Sequence, residues 1–145
     1  MPRVGMLIIA VLLAAAPAAG QFFGGSASGD KVTFILCHGV DCYPRADATN
    51  RYIITAKSKP QKCFVTAKVP PQGAAITVDI LINGSVSIFP AAAKLTIPAG
   101  GTAVYSTTSF VAGTQFQEGD YLTASVVSVG TSTAGRDVTA VCSMK

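Results

Sequence analysis

The stretch Ala75-Ile76-Thr77-Val78-Asp79-Ile80-Leu81-Ile82-Asn83-Gly84-Ser85-Val86-Ser87-Ile88-Phe89 decides the fold class. Ile76, Val78, Ile80 and Ile82 fall on one side of an extended chain and Thr77, Asp79 and Leu81 on the other, because successive side chains of a strand alternate faces. Asn83-Gly84 fits a tight hairpin turn before a return strand Val86–Phe89, since both residues tolerate positive φ. The same grammar recurs on either side. Tyr121–Val129 carries Leu122, Ala124 and Val126 on one face, and Lys31–Leu36 carries Val32, Phe34 and Leu36. Arg51–Ala56 and Lys62–Val69 are separated by Lys59-Pro60, and Pro70-Pro71-Gln72-Gly73 is a firm stop because two prolines cannot continue a central strand. Lys94–Ile97 runs into the turn Pro98-Ala99-Gly100-Gly101, Thr102–Ser109 is an extended Thr/Ser-rich stretch, and Val138–Cys142 closes the chain. Helical periodicity and internal repeats are both missing. The expected fold is all-β: a single antiparallel β-sandwich, jelly-roll or Ig-like, over residues 31–145.

Upstream the pattern changes. Arg3 and the amino terminus precede an unbroken apolar run, Met6–Ala16, followed by small residues up to Gly20. That is the layout of a secretory signal peptide, residues 1–20, with the cut after Gly20 and Ala18 as the other site. The run is short for a membrane span, which needs about 20 residues, and an uncleaved anchor is the competing interpretation. Gln21–Asp30, rich in Gly and Ser, reads as a flexible leader. The mature domain is thus expected outside the cell, in the periplasm or at the cell surface, with no membrane contact after cleavage.

Cysteine usage agrees with export. Cys37, Cys42, Cys63 and Cys142 make an even count in a small domain, which points to two disulfides among three possible connectivities. Strand parity favours one of them. Cys63 shares a face with Val65, Ala67 and Val69, and Cys142 with Val138 and Ala140, so both look inward. Cys37 and Cys42 flank the short turn His38–Asp41. The expected pairs are Cys37–Cys42 and Cys63–Cys142.

Catalytic chemistry finds little footing. His38 is the one histidine of the chain. A triad would have to use it beside Cys37 or Cys42, whose oxidation export favours. Cys37, His38, Asp41 and Cys42 supply ligand types for zinc at a spacing unlike the paired-cysteine sites, so a local disulfide loop is the better account. No catalytic residue, cofactor or metal is therefore assigned. Asp79 reads as a solvated outward carboxylate or the cross-strand partner of a lysine. Asn83-Gly84-Ser85 fits the N-glycosylation acceptor pattern but overlaps the hairpin turn. The net charge is +4, with a loose cluster at Lys57, Lys59, Lys62 and Lys68. Nucleic acid demands a denser basic stripe interleaved with aromatics, and a solvated strand edge guarded by lysines accounts for these residues, so no nucleic-acid partner is expected. Tyr43, Tyr52, Tyr105 and Tyr121, with the small polar stretches Thr102–Thr114 and Gly130–Gly135, offer surfaces on which a glycan can stack or hydrogen-bond.

Several phrases stand in a recognisable order. They are Ile76–Gly84, Ser87-Ile88-Phe89, Lys94–Gly100, Glu118-Gly119-Asp120-Tyr121-Leu122-Thr123 and Val129–Gly135, with Ala46-Asp47-Ala48-Thr49 and Val69–Gly73 upstream. Together they resemble a small β-sandwich domain of tailed-bacteriophage structural proteins, often found at the ends of tail or fibre proteins. The resemblance covers most of Lys31–Cys142 and implies a building or attachment module without catalytic residues. The leader and the cysteines depart from phage structural proteins, which assemble in the cytoplasm, where disulfides rarely persist. They imply a phage-type module adapted for export by a cell, or one encoded by a virus that uses a secretory route. The expected function is a secreted structural or attachment module, self-associating or joined to other protein subunits. The alternative is a secreted module that binds carbohydrate or a surface receptor.

Overall fold

A computed structural model describes residues 30–46 and 51–145. The expected signal peptide 1–20, all of the leader except Asp30, and most of the Ala46–Thr49 phrase lie outside the described residues. Ten strands follow in chain order: β1 (Lys31–Asp41), β2 (Arg45–Ala46), β3 (Tyr52–Ile53), β4 (Pro60–Val69), β5 (Ile76–Ile82), β6 (Val86–Ser87), β7 (Leu95–Ile97), β8 (Tyr105–Thr107), β9 (Tyr121–Ser128) and β10 (Arg136–Met144). A short 3-10 turn, Ala91–Ala93, lies between β6 and β7.

The strands form two antiparallel sheets packed face to face, an all-β sandwich. One sheet has the order β1-β10-β4-β8. In the other, β9 and β5 are central, with β2 and β3 along the free side of β9 and β6 and β7 along the free side of β5. The alternating residues of the sequence make the core. Val32, Phe34, Leu36, Val65, Val138 and Ala140 face Ile76, Val78, Ile80, Leu122, Ala124 and Val126 across the sandwich. Each large aliphatic side chain fully buried there contributes about 1.5–3 kcal/mol. Phe116, fully buried, is fastened by reciprocal backbone bonds with Ser58 and closes one end.

Turn chemistry sets the strand ends. Asn83 (φ 51°) and Gly84 (φ 74°) both adopt the left-handed region, and the hairpin loop takes in Ser85 as well, because Ile82 pairs with Val86. Pro70-Pro71 ends β4, and the Pro71 carbonyl accepts from Gly100 N at 2.7 Å, tying that break to the Pro98–Gly101 turn.

Four expectations need correction. Of the two readings of Asp79, the solvated carboxylate gives way to the lysine partner: Asp79 is 4% exposed and pairs with Lys94 across the β5–β7 edge, under β6. Lys62 and Lys68 do not guard an edge, since β4 lies inside its sheet; Lys31 on β1 is the lysine of an edge strand. The extended stretches Arg51–Ala56, Val86–Phe89 and Thr102–Ser109 shrink to two- or three-residue strands, each pairing on one side only. Finally, β1 does not stop at Leu36 but resumes pairing at Asp41, beyond a bulge.

Candidate functional site

The first candidate is the open edge of β1. Among the described residues every other edge strand is two or three residues long, whereas β1 runs regularly from Lys31 to Leu36 before its bulge. Short edges are a common defence against unwanted strand pairing, and β1 does without it. The hydrogen-bond phase of this edge follows from one contact. Met144 N donates to Asp30 O at 2.8 Å, in register with Lys31↔Ser143 and Val32↔Cys142. Antiparallel pairs alternate between bonded and non-bonded, so Asp30, Val32, Phe34 and Leu36 bond to β10. The N–H and C=O groups of Lys31, Thr33 and Ile35 then point to the free side, where no described strand meets them. Their side chains lie on the outer face of the sheet, and Ile35 is 58% exposed. Beside them on that face stand the half-buried Val141 and Phe64, the latter under the Lys62 ammonium at 4.9 Å.

A disulfide-stapled bulge ends this edge. Residues 37–40 stand opposite the single residue Asp137, with Cys37 at φ 54° and Gly39 at φ 68°. The Cys37–Cys42 disulfide spans the bulge at a Cα separation of 5.0 Å. Gly39 N donates to Asp137 Oδ1 at 2.7 Å, and His38 Nδ1 lies 3.3 Å from the same oxygen. The Asp137 carboxyl is held below its usual range, chiefly by the Gly39 N–H and further by the charges of His38, Lys68 and Arg136. At the far end Arg136 Nη2 donates to Asp41 Oδ1 at 2.8 Å, and this bond raises the Arg136 pKa. His38 is therefore a surface side chain, 85% exposed, oriented by an aspartate. Both cysteines near it are oxidised, so they present no thiolate for nucleophilic or zinc chemistry.

The second disulfide is of another kind. Cys63 and Cys142 are direct cross-strand partners on the core face of one sheet, with Cα atoms 4.1 Å apart. The β1 phase makes them a non-hydrogen-bonded pair of β4 and β10, the closer of the two antiparallel spacings. This bridge links neighbouring strands, not the two sheets.

A second candidate is a cleft of about 480 Å3 where β7 and β8, the edges of opposite sheets, approach each other. Lys94, Thr96, Tyr105, Ser106 and Thr107 supply its polar lining. Lys94 Nζ is held by Asp79 Oδ2 at 2.7 Å, and Ser87 Oγ donates to Asp79 Oδ1 at 2.6 Å. The tyrosines do not gather into one platform. Tyr105 lines this cleft, Tyr43 and Tyr121 lie under the guanidinium groups of Arg45 and Arg51, and Tyr52 packs against the core. Nor is Gly130–Gly135 a free loop, since Gln72 N donates to Thr133 O and Ser132 N to Gln72 O. The Asn83 amide of the acceptor triplet is occupied by Asp120 and Tyr121.

Among the described residues no three His, Cys, Asp or Glu side chains are grouped to hold a metal ion, and no helix is long and apolar enough to cross a membrane. The β1 edge was not legible beforehand because strand order is a tertiary fact. The one hint lay in a regular strand containing neither proline nor an internal charge. No protein-family model, curated protein or solved structure matches the chain.

Proposed function

We propose that this protein is an exported, non-enzymatic structural or attachment module that joins an extracellular assembly of the phage-tail kind through the β1 edge. The observation that carries this is the contrast between β1, a regular edge whose outward backbone groups meet no described strand, and the two- and three-residue strands of every other described edge. Two disulfides support export, because such bridges persist in oxidising compartments. The phrases resembling the phage domain also support a scaffold role. They are turns that grip one another: Asn83 grips the Asp120 turn, Pro71 the Gly100 turn, and Gln72 the Thr133 loop. Residues so used build a platform and leave function to its edges and faces. Size-resolved fractionation of the secreted protein tests the proposal. Recovery in concentration-dependent oligomers or a larger particle supports it, and a strictly monomeric chain in every fraction contradicts it.

One observation favours the second reading, a glycan-binding module. The β7–β8 cleft places Lys94, Tyr105 and several hydroxyls around a shallow opening, a lining suited to a polyhydroxylated ligand. Saturable glycan binding by the monomer, lost in Tyr105→Ala, would favour it.

A further inference from the structure

We infer that the occupant of the β1 edge is a second copy of this chain, paired antiparallel about a two-fold axis at Thr33. This rests on the assembly reading above and names its partner. The outward groups of the edge, which no described strand meets, belong to Lys31, Thr33 and Ile35, and only a register that opposes these residues to one another bonds all of them. Placing Thr33 against Thr33 of the second copy sets Lys31 against Ile35 and Ile35 against Lys31. Every outward N–H and C=O of the three residues then finds a partner. Shifting the axis to Phe34 sets Lys31 against Cys37, whose φ of 54° removes it from the ladder.

Charge and shape agree with this register. Lys31 is the one charged side chain of the regular stretch, so the antiparallel pairing puts the two lysines at opposite ends, about 13 Å apart at 3.3 Å per residue. That exceeds the screening length of about 8 Å at physiological salt. Each lysine stem instead lies across the exposed Ile35 of the other copy, covering apolar surface while its ammonium stays in water. The contact is self-complementary, as a closed two-fold interface requires. The stapled bulge ends the ladder beyond Leu36, and the opposite edge of the sheet is the three-residue β8. The assembly therefore closes as a dimer with a continuous sheet β8-β4-β10-β1-β1-β10-β4-β8 and does not grow into a filament by this route.

Sedimentation of the full chain, secreted with its own leader, tests the inference together with amide hydrogen exchange. The expected result is a dimer whose Lys31, Thr33 and Ile35 amides are protected and lose protection on dilution. Ile35→Lys sets like charges opposite each other twice and should raise the dimer dissociation constant about 10-fold or more. The melting temperature of its monomer should stay unchanged, because that side chain points to solvent. Thr33→Pro removes an edge N–H without touching the β10 ladder and should also give a folded monomer. A wild-type monomer with rapidly exchanging edge amides overturns the inference, as does a dimer indifferent to both substitutions. A chain monomeric alone that still enters a larger extracellular particle overturns self-pairing while leaving the assembly reading intact.

Discussion

Asn83 and Asp120, 37 residues apart in sequence, hold each other in a clasp. Asn83 Nδ2 donates to Asp120 Oδ1 at 3.0 Å while Asn83 Oδ1 accepts from Tyr121 N at 3.1 Å. The other Asp120 oxygen accepts from Gln117 N at 2.8 Å. One short side chain thus fixes the β5–β6 hairpin to the turn that launches β9, and it does so from a left-handed backbone that asparagine tolerates. Two of the phrases that carry the phage resemblance are the two halves of this contact.

Asn83→Ala is expected to lose both hydrogen bonds and to strain the turn, costing about 2 kcal/mol. Asn83→Gly keeps the turn and loses only the bonds, about 1 kcal/mol. Urea unfolding of the two variants separates backbone from side chain.

The clasp also predicts a pH dependence. Hydrogen bonds from Gln117 N and then Asn83 lower the Asp120 pKa below its ordinary 3.8. A carboxylate with a depressed folded pKa contributes stability above its unfolded value and loses it as pH falls through the folded one. Melting temperatures taken downward from about pH 6 should therefore drop in the acid range, and less steeply in Asp120→Asn. Equal acid limbs would contradict the clasp.

Asp79 and Lys94 give the largest single-side-chain effect. The Asp79 side chain is 5% exposed and Lys94 24%, so Lys94→Met leaves a nearly buried carboxylate with Ser87 alone. A cost of about 3 kcal/mol is expected, the low end for a broken buried pair because Lys94 still reaches water. The double variant Asp79→Leu with Lys94→Met should recover most of the loss, and equilibrium unfolding reads both.

The disulfides should differ in weight. Cys63–Cys142 closes a separation of 79 residues and Cys37–Cys42 one of 5. Replacing each pair by alanines should cost about 4 and about 2 kcal/mol, respectively, in the chain-entropy account. Denaturant midpoints in the reverse order would count against it.

The sequence revealed the parts of the fold governed by alternation. β1, β4, β5, β9 and β10 have runs long enough for a period of two, and their inward residues are the buried ones. Parity pointed to Cys63–Cys142, and the short intervening segment to Cys37–Cys42, the pairs that the structure joins. The two- and three-residue strands left no such trace, because an edge that short is defined by its partner. Alternation put Asp79 on the outer face and left a lysine partner as one of its two readings, which Lys94 fulfils; nothing local reveals that β6 folds over that face and buries the pair. The continuation of β1 was hidden by the left-handed Cys37 and Gly39, which interrupt the period. As for the candidate site, residues 31–36 were identified as a strand, but its place at the sheet edge comes from topology.

The central claim is that an exported, disulfide-bonded chain assembles through β1. A native mass spectrum of the secreted protein, taken without reductant, tests it most directly. The account expects a dimer of chains beginning near Gln21, each four hydrogens lighter than its reduced form. Monomers of the full-length chain carrying free thiols would contradict it.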